Sequence, residues 1–197
     1  MGEIVMEKID KKEKKILAIV GMPGTGKSTV VQSLVQDYGL PFLHFGNITI
    51  QEVRKRNLPE TQENEKKVRM ELREKYGMAA YAHLSIPLIH EILEKHDIMM
   101  IDGLYSWSEY TLMRKSVSAK IMLICIISRR ETRYHRLAIR EYRPLSPEEA
   151  EKRDFAEIEA LEKGGPIALC DYYLTNDAGI EDLQKSLSLL SKELGIR

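Results

Sequence analysis

Residues 16–29 read ILAIVGMPGTGKST. An apolar run of five ends at Gly21, and the nine residues from Gly21 to Thr29 hold three glycines, one proline and one lysine. A short apolar run closed by a turn reads as a buried strand. Val31, Leu34, Val35 and Tyr38 follow at helical spacing, with Gly39 as a stop. The glycines therefore lie where a strand turns into a helix.

The spacing Gly21-x-x-x-x-Gly26-Lys27-Ser28 is that of a phosphate-binding loop. Phosphate oxygens must meet several backbone N–H groups at once, and side chains would block that approach. Some positions also need positive φ, which glycine adopts freely. The helix that follows aims its first amides and its dipole at the anion. Lys27 supplies a point charge for the β- and γ-phosphates, and the Ser28 hydroxyl is a ligand for Mg²⁺. The expected triphosphate-binding residues are Gly21, Gly24, Thr25, Gly26, Lys27, Ser28 and Thr29.

Outward from this loop the chain alternates. Strands are expected over 14–20, 41–45, 97–102, 120–127 and 171–175. Helices are expected from the loop to Gly39 and over 47–57, 60–77, 78–95, 106–116, 131–142, 147–162 and 180–194. Pro87 is expected to kink or split the helix over 78–95, whose Leu84, Leu88 and Ile92 share a face. Strands alternating with helices imply an α/β fold: three layers, with a five-stranded parallel sheet flanked by helices. Ligands of such sheets bind at the carboxyl ends of the strands, where the loop sits. Residues 1–13 read as a charged lead-in to a single domain over 14–197.

Composition narrows the function. Lys+Arg and Asp+Glu are 30 each, so the formal net charge is zero. That gives no footprint for nucleic acid or an anionic membrane. The longest apolar run, IMLICII (121–127), is too short to span a bilayer, and the start of the chain has no apolar signal segment. The two cysteines, Cys125 and Cys170, lie in apolar stretches without metal-ligand spacing. A cytoplasmic protein is expected.

Two further signals carry chemistry. Asp102 ends an apolar strand in IDG (101–103), the place of an acidic residue that holds Mg²⁺. Residues 129–153 hold seven arginines, and Arg136 and Arg140 lie four apart, on one face if helical. Arginine grips phosphate oxygens bidentately, so the run suits a mobile lid over a transferring phosphoryl group.

In order, GMPGTGKS, HFGN, IDG, RLAIR, RD (153–154) and TND (175–177) resemble the nucleoside monophosphate kinase superfamily, which includes adenylate kinases and dephospho-coenzyme A kinase. The likeness runs over about residues 14–195 and is nearest to an adenylate-kinase-like family of archaeal and bacterial proteins. It implies an acceptor-binding helical insert at about 46–95 and an arginine lid at about 131–160. It also implies that Arg136 lies near the donor's adenine or phosphates, that Arg140 and Arg153 contact phosphates across the closed site, and that Asn176 borders the donor base. With Lys27 and Asp102, these three arginines are the expected catalytic set.

The sequence departs from that family at the acceptor. Gly46-Asn47-Ile48-Thr49-Ile50 has Asn for the usual Asp and Ile for the usual arginine, and Leu104, Tyr105 and Ser106 follow Asp-Gly without an arginine. Asn47, Arg54, Arg73 and Tyr105 are the expected acceptor contacts, with Arg69, His83 and Ser85 as further substitutes. Three readings stay open. The first is transfer from Mg-ATP to a nucleotide-like acceptor. The second is transfer to a hydroxyl whose molecule carries a more distant phosphate. The third is an ATP-binding switch or ATPase.

Overall fold

The computed structural model describes residues 13–196, so all but the last residue of the expected lead-in lies outside the described residues. Five parallel strands form one sheet in the order β2-β3-β1-β4-β5. They are β1 (Lys15–Val20), β2 (Phe42–His44), β3 (Ile98–Asp102), β4 (Lys120–Ile127) and β5 (Tyr172–Thr175). The central strand is β1, where Leu17 is in register with Met100 of β3 on one side and Met122 of β4 on the other.

The strands are apolar at successive positions because both faces are covered. Ile16, Ala18 and Val20 of β1 enter one core, while Leu17 and Ile19 enter the other. The second core is closed by α1 (Lys27–Tyr38) and α9 (Ile180–Leu194), through residues such as Leu34 and Leu187. The first is closed by α4 (Ala80–Lys95) and α5 (Trp107–Ser116), with Val53 of α2 (Gly46–Lys55) and Val68 of α3 (Gln62–Tyr76) added at one end. After β4 the chain forms α6 (Arg130–Ile139), α7 (Pro147–Glu159) and the short α8 (Gly164–Ala168) before β5. This is the three-layer α/β fold expected. No helix among the described residues is long and apolar enough to cross a membrane.

Several boundaries differ from expectation for physical reasons. Pro87 neither splits nor ends α4, because it lies on the exposed face together with His83, whose carbonyl it frees to water. The buried stripe of α4 runs through Tyr81, Ser85, Ile89 and Leu93, so Leu84, Leu88 and Ile92 flank it. Ser146 and Glu149 form a reciprocal capping box at the start of α7, which ends at Glu159, and Gly-Gly-Pro then starts α8, an element without a periodic signal. Helix α6 stops at Ile139, and Arg140 is extended at ψ 143°. Arg136 and Arg140 therefore do not continue on one helical face. The chain turns there because the Leu145 N–H donates to the carbonyl of Leu137, which is buried.

A second capping box starts α5. The Glu109 carboxylate accepts the N–H groups of Tyr105 at 2.8 Å and Ser106 at 3.0 Å. Burial nonetheless pushes the Glu109 carboxyl from 4.5 up to about 7, against the pull of those two N–H groups and of Arg73. A folded value above the unfolded one means that its stabilising contribution is complete below pH 4.5 and is lost as pH rises through about 7. Glu109→Gln cannot ionise. Its urea midpoint is expected to fall less than wild type's between pH 5.5 and pH 8. Equal falls would contradict this placement of Glu109.

Candidate active site

The phosphate-binding loop follows β1 at the carboxyl edge of the sheet. Gly24 and Gly26 have φ of +79° and +94°. A Cβ on Gly24 would lie 2.7 Å from the Arg133 carbonyl oxygen, and one on Gly26 would strike the Asn176 amide. Both positions therefore need glycine on two counts.

Three carbonyls of the loop are held by side chains. Met22 O accepts from Thr25 Oγ1 and Lys27 Nζ, each at 3.0 Å. Pro23 O accepts from Arg133 Nη1 at 3.0 Å. Thr25 O accepts from Asn176 Nδ2 at 2.9 Å. The amides of Gly24 and Gly26 donate to no protein acceptor among the described residues, and α1 has no side-chain cap at Gly26. Uncommitted amides at a helix N-terminus are an anion cradle. Burial lowers the Lys27 ammonium to about 7, helped by the nearby Lys163 cation and opposed by Glu157 and Asp102. A bound polyanion would restore that charge.

Arg133 is the clamp that sequence reading did not single out. It lies in the arginine run but is 6% exposed. Its guanidinium forks onto Asp154 of α7 at 3.0 and 2.6 Å while donating to the loop at Pro23. One buried guanidinium thus joins α6 to α7 through an ion pair and ties the arm to the phosphate-binding loop through a hydrogen bond. The partners are 21 residues apart, a separation with no periodic signal.

Beside the loop lies a cavity of about 610 Å³, bounded by the ends of β2 and β3, by α2–α4 and by the α6–α7 arm. Glu157 and Arg153 line it and also act on Lys27, so the loop and the cavity share one electrostatic field. Asp102 ends β3 next to β1, and its Oδ2 meets His44 Nδ1 at 3.1 Å. His44, the first residue of the HFGN stretch and not among the expected site residues, is brought there by the parallel pairing of β2 with β3.

Of the expected residues, Asn47, Arg73, Tyr105, Arg140 and Arg153 line the cavity. Arg73 sits over the Tyr81 ring at 5.7 Å. Arg140 Nε donates to the Arg143 carbonyl at 2.6 Å, and Arg153 Nε donates to Glu157 at 3.0 Å. Glu157 also takes the ammonium of Lys163, which is 1% exposed and 4.5 Å above the Tyr105 ring. Arg136 lies elsewhere, donating to Ser128 Oγ, which in turn donates to the Asn176 carbonyl at 2.8 Å. It is thus on the β4–β5 side of the loop, with Asn176.

Arg54 is not brought to the cavity. Its guanidinium forks outward onto Glu60 at 2.7 and 3.1 Å on the protein surface. His83 stacks on Tyr76, and Ser85 is fully buried in α4, so neither lines the cavity. Trp107 packs against Gly165 and Tyr110 rather than lining the cavity. Arg54→Ala is expected to leave nucleotide affinity unchanged within about twofold, as for other surface changes remote from a site. A larger loss in a calorimetric titration with ADP would bring Arg54 into the site.

Comparison with known proteins agrees with this fold. A family model described as an AAA domain matches residues 17–158. A UPF0200 protein of Thermococcus sibiricus is 32% identical over 185 residues, covering 92% of this chain and 96% of its own length. Among solved structures, TT1252 from Thermus thermophilus superposes with a TM-score of 0.64 at 20% identity, over 93% of this chain and 99% of its own. A shikimate kinase from Bacteroides thetaiotaomicron gives 0.57 at 18% identity, over 92% and 98% of the two chains. The structural likenesses carry the fold, and the sequence matches carry kinship: the chain belongs to the AAA domain family and to the UPF0200 proteins, built on a P-loop kinase-like fold.

Proposed function

We propose that this protein is an ATP-dependent phosphotransferase that moves the γ-phosphoryl group of Mg-ATP to a small nucleotide or nucleotide-like acceptor. The observation that carries this reading is the cavity beside the loop. A protein that only bound ATP would need the loop, not a 610 Å³ chamber beside it lined by Arg140 and Arg153. In this reading α2–α4 hold the acceptor and the α6–α7 arm is the lid.

The chemistry is in-line displacement, and the chain's work is positioning and charge neutralisation. Amides of the loop hold the donor phosphates, and Lys27 leaves the Met22 carbonyl to meet them. Arg140 and Arg153 come from the arm that Arg133 ties to the loop, and they offset charge on the group in flight. The residues present suit a magnesium ion held jointly with a nucleotide. Ser28 is exposed and its hydroxyl bonds no protein group among the described residues, while Asp102 keeps one carboxylate oxygen free of protein hydrogen bonds. Two oxygen donors with phosphate and water fit a hard cation. When bound, Mg²⁺ would offset phosphate charge, with Ser28 and Asp102 as its protein contacts.

A hydroxyl acceptor is the second reading. It is favoured by Ile50, which stands where relatives of the resembled superfamily carry an arginine, and by Leu104, Tyr105 and Ser106, which follow Asp-Gly without the arginine those relatives carry soon after it. The test is ADP release from Mg-ATP against AMP, CMP, UMP, GMP, their deoxy forms, dephospho-coenzyme A and no acceptor. Strong stimulation by a nucleoside monophosphate supports the first reading, and stimulation by dephospho-coenzyme A alone supports the second. A slow rate that none of them changes overturns both in favour of a switch or ATPase.

A further inference from the structure

The cavity carries more arginine than transfer alone uses. Besides Arg140 and Arg153 it is lined by Arg69 and Arg73 of α3 and by Arg143, which follows α6. Among the described residues, two carboxylates, Glu65 and Glu157, line it with them. Glu157 is committed to Arg153 and Lys163. Glu65 is shared between Arg69 at 3.4 Å and Arg143 at 3.3 Å. Arg73 has no carboxylate partner among the described residues; the nearby Glu109 takes the N–H groups of Tyr105 and Ser106 on Oε2, and its Oε1 is buried without a partner.

Two donors are left over. The Nε atoms of Arg73 and Arg143 are buried and have no hydrogen-bond partner. A buried donor left unmet is costly, more so on a charged group. Two such donors, on residues of different elements that line one cavity, ask for an anion with several acceptor oxygens. Guanidinium groups match phosphate oxygens in this way. Glu65, 9% exposed and reaching from α3 to the arm's Arg143, puts one carboxylate where two would be needed. Arg143 itself holds a left-handed backbone, φ +54°, to reach this position.

We propose that Arg69, Arg73 and Arg143 form a second phosphate-binding subsite, apart from the P-loop, in which Glu65 stands in as a tethered carboxylate until a phosphate group displaces it from Arg143. This rests on the kinase reading above and deepens it: the acceptor is a phosphate monoester or diphosphate whose anionic end is read at the insert. Exchange of Glu65 for phosphate also couples acceptor binding to the lid, because Glu65 and Arg143 are the ion pair that joins the two.

The test is calorimetric titration with inorganic phosphate while saturating Mg-ADP fills the loop. One phosphate is expected to bind wild type. Arg73→Gln is expected to weaken it about 10-fold or more, the scale of a lost charged hydrogen bond. Arg73→Lys, which keeps charge but loses the fork, falls between. Glu65→Gln is expected to tighten it several-fold. Far-ultraviolet circular dichroism and thermal melts confirm that each variant is folded, and Arg143→Gln replaces any that is not.

Absence of phosphate binding with Mg-ADP present, binding unchanged by Arg73→Gln, or weaker binding in Glu65→Gln would overturn the subsite. So would malonate binding more tightly than phosphate, which would make it a carboxylate site. Failure of Mg-ADP itself to bind would instead overturn the kinase reading. The subsite is then read by titrating phosphate into Lys27→Ala without nucleotide, with the same outcomes.

Discussion

Lys27→Ala is expected to lower phosphoryl transfer by about 10²-fold or more while leaving the fold intact, the scale on which a charge-stabilising group aimed at a transition state acts. The stability part follows from burial. Lys27 is an amine held low, at about 7, by burial and by Lys163, and its protein hydrogen bond is to Met22 O. Removing it relieves a desolvated cation and leaves that carbonyl to Thr25, which already donates to it. Urea unfolding should therefore show little loss of stability, while the transfer rate collapses. A variant with near-normal transfer would remove Lys27 from the mechanism, and a variant that unfolds would show that the loop depends on it structurally.

Arg133→Ala is expected to lose stability and nucleotide affinity together. It strands Asp154, a carboxylate only 7% exposed, without its bidentate partner. Breaking a buried pair on one side costs about 3–5 kcal/mol, so urea unfolding should show a loss of that order. The Pro23 carbonyl loses its donor in the same change, so ADP affinity should fall as well. Tyr134, whose hydroxyl donates to Asp154 at 3.3 Å, cannot replace a guanidinium fork. A loss below about 1 kcal/mol, the scale of an exposed ion pair, would show that the Arg133–Asp154 pair is solvated rather than a clamp.

The contrast between these two residues marks what the sequence could disclose. Lys27 belongs to a local pattern, in which loop, strand and helix lie within a few turns of one another and each residue type has a steric or electrostatic reason. The sheet was legible for the same reason: strands buried on both faces are continuously apolar, as in IMLICII. Arg133 and Asp154 sit in an arginine-rich, acid-rich run where a buried pair looks like a solvated one. Only the packing of α6 on α7 separates them. His44 with Asp102, and Glu65 with Arg143, are brought together by strand pairing and by the arm, 58 and 78 residues apart. Arg54 shows the converse. Helical spacing suggested an acceptor contact, and Glu60 draws its side chain to the surface. The helix carrying Arg136 and Arg140 was expected to run on, but Arg140 leaves it for the cavity while Arg136 faces Ser128.

The central claim is that the γ-phosphoryl group goes to an acceptor rather than to water, and the most direct measurement follows that group. ATP labelled at the γ-phosphorus is incubated with Mg²⁺, the protein and each compound of the acceptor panel, and the labelled products are separated. The label is expected in an organic phosphate, with one acceptor favoured and Lys27→Ala inactive. Label recovered only as inorganic phosphate, at a rate no acceptor changes, would contradict it.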